Sequence, residues 1–599
     1  MKNLLVACGD VTQTFDPKTS TWSTSKLKAG QKAKAVDLVN QWVEAALLKF
    51  NGPKRDSYDE TLPVGSIEHL NVDCWLGWKP KVWDIQLGQA DERREVFKLY
   101  TNPKTNFSVY QMLNAISKEP ELQKALLITL ETLPEVQASR EVREISDPFM
   151  SKGSGVSYPD YRNDRTTVPD TNITYGKYEI ELTQKAADAG DESLIKFAYD
   201  NNVYTGYPRN QRGKGRALEA ESRRTNLVVN MLNSPEMEKW KKSRILGTAF
   251  QDEEGIKKAL IRKAEWIENH NDYCGRNEDS SGWDRSVGDG WVTLSGALRY
   301  LRANGSFTKK LVEIRHNCAR KAWLIDGPNN KVSVMYGRTP SGYGDTTLLN
   351  STIHRALSTS ALLSVDRNYT KNVVYPTDYE YEDIVGDDFL GIFPKGEDKV
   401  RAFRQYYLDK GYTIHSDEKS IFGVMFIQYR VVRDPESGEW IMTYNWPRVY
   451  RSMLSKETAK QLGVGGWTLS AYQQLGKCIQ YPKYCQIPLN LICACDQYKL
   501  HLDTPISQLK QMVKEEDQAR VDSAAKNRKQ KLLRTLTTAE RLSNNPNLPG
   551  TLQKDGKVEL DWDYFGAIQE KLRGMYDSQF LQKLGFKNPD LSKIGRAHV

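Results

Sequence analysis

The run Tyr381-Glu382-Asp383-Ile384-Val385-Gly386-Asp387-Asp388-Phe389-Leu390-Gly391-Ile392-Phe393 constrains this chain more than any other part of it. Residues 381–385 and 389–393 have the apolar and aromatic content of strands. With Gly386, Asp387 and Asp388 between them, they predict a β-hairpin with acids at its tip. Glycine admits the tight turn, and two adjacent carboxylates held by paired strands concentrate negative charge suited to hard divalent cations. The tripeptide alone is weak evidence, since Gly-Asp-Asp arises by chance in roughly one in seven chains of this length. An exposed acidic turn is the alternative.

A second acidic group, Asp279-Ser280-Ser281-Gly282-Trp283-Asp284, lies well upstream. Two-metal catalysis needs carboxylates from separate segments, because one ion activates the attacking oxygen while the other steadies the leaving phosphate. Between the groups runs Pro340-Ser341-Gly342-Tyr343-Gly344-Asp345-Thr346-Thr347-Leu348-Leu349-Asn350, a Gly-rich loop entering an apolar helix. Thr346 and Asn350 are four apart and so share a helix face. A capped helix entry for the loop, and a helix N-cap for Asp284, are the structural alternatives.

In order, Asp-x4-Asp, Ser-Gly-x3-Thr-x3-Asn and Gly-Asp-Asp between strands resemble motifs A, B and C of the viral RNA-dependent RNA polymerases. Upstream, Gly213-Lys214-Gly215-Arg216-Ala217-Leu218-Glu219-Ala220, the end of a basic run read as a phosphate-handling loop over residues 209–216, is similar to motif F of picornavirus-like enzymes. Downstream, Thr413-Ile414-His415-Ser416-Asp417-Glu418-Lys419-Ser420 is similar to motif D, and Phe426-Ile427-Gln428-Tyr429 to motif E. The template-guiding motif G has two partial matches, Ser151-Lys152-Gly153-Ser154-Gly155-Val156-Ser157-Tyr158-Pro159 and Thr205-Gly206-Tyr207-Pro208; the first lies at the more suitable distance. The resemblance covers about residues 151–430. Motifs F, D and E resemble the picornavirus and calicivirus enzymes. The opening Met and the lack of helicase or protease segments resemble the self-contained polymerases of picobirnaviruses and partitiviruses.

That resemblance implies an RNA-directed RNA polymerase of α+β class. Its fold would be a closed right hand with fingers, a palm of antiparallel sheet backed by helices, and a helical thumb. Residues 1–277 would form the N-terminal region and fingers, 278–300 the palm with motif A, 301–335 a fingers insertion, 336–445 the palm with motifs B to E, and 446–599 the thumb and C-terminal region. Asp279 and Asp387 would hold two Mg²⁺ ions, or Mn²⁺ in their place, with Asp388 a nearby and less essential carboxylate. Asp284, Thr346 and Asn350 would form the ribose pocket, and Ser341 and Gly342 would begin a loop supporting the template and nascent pair. Arg216, Lys214 and Arg212 would contact the triphosphate, and Lys419 would protonate departing pyrophosphate. The implied partners are RNA template and product, NTPs, and viral capsid or other replication proteins.

Three rivals remain open. A reverse transcriptase typically carries an aromatic-x-Asp-Asp turn where this chain has Gly-Asp-Asp. A non-catalytic RNA- or capsid-binding scaffold has no reason to keep every metal carboxylate and Lys419. An unrelated metal-dependent phosphohydrolase does not explain the ribose-pocket spacing.

Composition sets the outer bounds. A chain of 599 residues, 39% hydrophobic and 27% charged, predicts a folded protein of two to four packed subdomains. Its 85 Lys and Arg against 76 Asp and Glu, net +9, point only weakly to a polyanionic partner. The sequence predicts no membrane span and no secretory signal, so the expected location is the host cytoplasm or the virion interior. Helical patterning is expected over residues 35–48, 109–133 and much of the C-terminal part, including a basic thumb helix with Lys526, Arg528, Lys529, Lys531 and Arg534. Cys478, Cys485, Cys493 and Cys495 lie close together, but their spacing is not a familiar zinc pattern and their apolar neighbours favour buried free thiols over a metal site.

Overall fold

A computed structural model describes most of residues 119–575 and the strand pair β1 (Val11–Asp16) and β2 (Thr21–Lys26). Within that span it leaves undescribed chiefly residues 143–168, 212–213, 243–247, 278–279, 281, 327–330, 340–344, 366–381, 413–420, most of 445–461 and 480–503, and 527–536. For residues 205–218 only the backbone is described.

Strands β3 (Val203–Gln211) and β4 (Lys214–Glu221) pair antiparallel, so most of the basic run read as a loop lies in a hairpin. β3 also pairs in parallel with β6 (Lys321–Asp326) as far as Gly206, and β6 pairs with β7 (Lys331–Tyr336). Past Gly206 the hairpin is a two-stranded ribbon, where a strand tolerates Pro208. Helices α1 (Pro120–Thr132), α2 (Pro169–Asp188), α3 (Asp191–Asp200) and α4 (Arg223–Trp240) precede and follow this hairpin. Leu194, Leu227, Leu232 and Leu311 are buried in a core that α3 and α4 share with a later helix, α8 (Ser306–Arg320).

The second sheet has the order β10-β5-β9-β8 and is antiparallel throughout. Here β5 is Tyr273–Asn277, β8 Glu382–Val385, β9 Asp388–Pro394 and β10 Ile421–Phe422. α5 (Glu253–Glu268) precedes it, with Asp252 Oδ1 accepting the Gly255 N–H at the N-cap. A short turn of helix, α6 (Trp283–Ser286), leads to α7 (Asp289–Leu301). α9 (Thr346–Val365) packs against β8, α1, α7 and α10 (Glu397–Asp409). Every residue of α9 from 348 to 363 is buried, so the helix has no solvent face along that stretch. Its one cation, Arg355, forms a buried ion pair with Glu382 of β8.

A third sheet, β11 (Val424–Phe426), β12 (Tyr429–Arg433) and β13 (Trp440–Tyr444), shares its core with α5 and the C-terminal helices α11 (Val464–Gly476), α12 (Ile506–Lys526) and α14 (Trp562–Leu572). The described C-terminal helices thus share one core with the strands that precede them. The C-terminal part, expected to be mainly helical, also contains a hairpin, β14 (Thr551–Lys554) with β15 (Lys557–Leu560). Adjacent acids of α12 cap two other helices: Glu516 accepts the Gly465 and Gly466 N–H groups at 2.7 and 3.1 Å, and Asp517 accepts that of Thr538, the first residue of α13 (Thr538–Leu542), at 2.9 Å. No helix among the described residues is long and apolar enough to cross a membrane. Of the expected basic thumb helix, only Lys526 at the end of α12 is described.

Candidate active site

Val385 pairs with Asp388, so the hairpin turn is two residues long rather than three. Gly386 stands in it with φ +63°, the left-handed conformation that a tight hairpin asks of its first position and that glycine adopts without cost. Asp387, the second position, is exposed, while Asp388 is the half-buried first residue of β9. On the other side of β9 lies β5, whose last residue, Asn277, pairs with Leu390. Asn277 Nδ2 donates to Phe389 O at 2.8 Å and to Met425 O at 3.4 Å, tying β5, β9 and β11 together. Asp279 is two residues further along the chain and lies outside the described residues, as do Ser341, Gly342, Arg212 and Lys419.

Asp284 is the second residue of α6, and Gly282 at φ +60° is the N-cap, so the N-cap alternative for Asp284 does not hold. Its Oδ1 accepts a 2.7 Å hydrogen bond from Asn350 Nδ2, and its main-chain oxygen accepts one from Thr339 Oγ1 at 3.3 Å. A carboxylate only accepts, so the amide nitrogen must face it and Asn350 Oδ1 must point elsewhere. That oxygen is buried with no hydrogen-bond partner among the described residues. Thr346 stands one turn earlier on α9, partly exposed.

The basic segment is corrected from a loop to strands: Lys214 opposes Gln211, and Arg216 opposes Arg209. Its Gly-rich, charged sequence lacks the apolar alternation of a half-buried strand, because the outer ribbon has no third strand beside it. At its inner end, Glu221 is buried and accepts from Tyr204 Oη at 3.1 Å.

Glu221 opens a buried ionic chain that the sequence did not announce. It pairs with Arg315 of α8, and Arg315 reaches Asp345 through Nε at 3.0 Å and Nη2 at 2.7 Å. Arg299 of α7 donates to the other Asp345 oxygen at 2.6 Å and to Glu236 of α4 at 2.6 Å, and Arg302 joins Glu236 at 3.3 Å. Burial would raise the Asp345 carboxyl, but Arg315 and Arg299 outweigh it and hold its pKa down to about 2. The residue immediately before α9 is thus fixed to the end of the basic hairpin. In the sequence Asp345 belongs to a Gly-rich loop and reads as solvated; the available signal was Arg299 amid the apolar run of α7.

The segment Phe426-Ile427-Gln428-Tyr429 is the turn joining β11 to β12. Ile427 and Gln428 both have positive φ, +45° and +73°, in positions that favour Asn and Gly. Cys478 and Cys485 are buried free thiols, pushed up by burial; Cys493 and Cys495 lie outside the described residues. No cluster of three or more His, Cys, Asp or Glu with metal-binding geometry occurs among the described residues.

No protein-family model matches this chain, and no curated protein sequence does. Among solved structures it is similar to the insertion-loop deletion mutant of the RNA-dependent RNA polymerase of a human picobirnavirus. That similarity has 11% sequence identity and a TM-score of 0.46, and covers 74% of this chain and 86% of the other.

Proposed function

We propose that this chain is a viral RNA-directed RNA polymerase of the right-hand type, joining NTPs on an RNA template. What carries the reading is the 2.7 Å hydrogen bond from Asn350 to Asp284, which joins two segments whose sequences independently match the ribose-sensing parts of motifs B and A. Asn350 Oδ1, without a partner among the described residues, is an acceptor suited to a sugar hydroxyl, and a substrate lacking that hydroxyl would leave it unsatisfied. Asp387 on its turn and Asp388 beside it offer hard carboxylate oxygens of the kind Mg²⁺ prefers, with Asp279 the third such group in the sequence. Asp279, Asp387 and Asp388 would hold a divalent pair there, which would supply activation of the attacking hydroxyl and neutralisation of charge on the leaving phosphates. Lys214 and Arg216 would bind the triphosphate and Lys419 would donate a proton to departing pyrophosphate.

In this reading residues 1–277 and 301–335 serve as fingers, 278–300 and 336–445 as palm, and 446–599 as thumb. The chain would work in the host cytoplasm or the virion. The test is synthesis. Purified protein with single-stranded RNA, primed and unprimed, four NTPs and Mg²⁺ or Mn²⁺ should make complementary RNA, and Asp387→Ala should abolish the product while keeping RNA binding. If wild type and variant bind RNA and are equally inert on both templates with either metal, the chain is a non-catalytic RNA-binding scaffold instead.

A further inference from the structure

The turn that carries Asp387 is held from outside its own hairpin. Ser351 Oγ accepts the Gly386 N–H at 2.8 Å, and His354 Nδ1 donates to the Gly386 carbonyl at 3.0 Å. A carbonyl only accepts, so the proton is on Nδ1. Both side chains come from α9, Ser351 next to Asn350 and His354 one turn beyond it, and both are almost fully buried, at 1% and 2% exposure. The His354 ring is stacked on Trp283 at 4.3 Å and flanked by Phe389 at 5.2 Å, so it has little freedom to rotate away. A Cβ at Gly386 would meet nothing within 4 Å. Two hydrogen bonds therefore tie the backbone of the turn directly to α9.

We propose that Ser351 and His354 are positioning residues that gauge the Asp387 carboxylate against the ribose pocket, by holding both backbone polar atoms of Gly386 to the helix that carries Asn350. The inference rests on the polymerase reading. Hydrogen bonds to both backbone polar atoms of a turn residue help set where the adjacent carboxylate stands, and metal ligation is sensitive to displacements well under an ångström. The helix that reads the sugar and the turn that offers the carboxylate then share one frame. His354 does this without touching substrate or metal.

The experiment uses the full chain and two independent readouts: Mn²⁺ binding followed by electron paramagnetic resonance without nucleotide, and the Mg²⁺ midpoint of single-nucleotide incorporation. Ser351→Ala removes the acceptor, His354→Phe removes the donor while keeping a ring in the stack, and His354→Gln restores an N–H donor. Ser351→Ala and His354→Phe should each weaken Mn²⁺ binding and raise the Mg²⁺ midpoint about five- to tenfold, the scale of one hydrogen bond. The preference for NTP over dNTP should be kept, since Asn350 and Asp284 are untouched, and His354→Gln should recover part of the loss. The proposal fails if the variants bind Mn²⁺ like wild type, even where activity falls with the urea midpoint, because the residues would then only support the fold. It fails equally if His354→Phe and His354→Gln lose metal affinity alike. If wild type neither binds Mn²⁺ nor makes RNA while it binds RNA, the polymerase reading fails and takes the proposal with it.

Discussion

Arg315 grips Asp345 with two nitrogens, Nε at 3.0 Å and Nη2 at 2.7 Å, and neither side chain is more than 1% exposed. Removing one member of such a buried pair leaves uncompensated charge, which costs roughly 3–5 kcal/mol. Asp345→Ala should lower the stability to urea by about that much, because Arg299 loses the same partner. Equilibrium unfolding measures it. A loss below about 1 kcal/mol would mean that the two guanidiniums find other acceptors.

Sugar selection and metal chemistry should separate by mutation. Asn350→Ala removes the donor to Asp284 and the acceptor that has no partner among the described residues, and should narrow the NTP preference over dNTP about tenfold or more. Asp279→Ala should abolish incorporation of both. Single-nucleotide incorporation with each substrate reads the two effects, and an Asn350 variant that is slower yet fully selective would make the residue structural.

The β11–β12 turn is strained and should be improvable. Ile427 is β-branched at φ +45°, a conformation that costs about 1 kcal/mol or more, and it is retained because its side chain packs against the C-terminal core. Gln428→Gly alone should stabilise the protein by about 0.5–1 kcal/mol by relieving the second position, while Ile427→Asn should gain less because it gives up apolar contact. Thermal unfolding of the two variants tests the order.

Acid should destabilise this chain through His316. Burial foremost, with Arg299 nearby, lowers its pKa from 6.5 to about 3, so the unfolded chain takes up a proton that the folded one refuses. That contribution is fully present above pH 6.5 and declines as pH falls from there towards 3. His316→Gln should flatten the slope of unfolding free energy against pH within that window. An unchanged slope would assign the proton uptake to other groups.

The hairpin and the order of the acidic and Gly-rich segments were legible because each is a local pattern: alternation, a turn residue, a four-residue spacing. The buried ionic chain was not, since Arg299, Arg315 and Asp345 are charges whose partners lie 30 to 94 positions away. A charge in isolation reads as solvated. The β11–β12 turn was equally opaque, because tertiary packing overrides the preference of Ile427. His354 gave no signal either. Its role depends on a carbonyl that only the fold brings beside it.

A helix buried all round from residue 348 to 363 has a kinetic consequence. No partial opening exposes such a segment without breaking the cores on every side of it, so its amides should exchange with solvent deuterium only through global unfolding. The Asn350 side chain and the tether of the acidic turn therefore belong to the last part of the molecule to open. Heating should leave them intact until the whole fold gives way, so that inactivation and melting coincide.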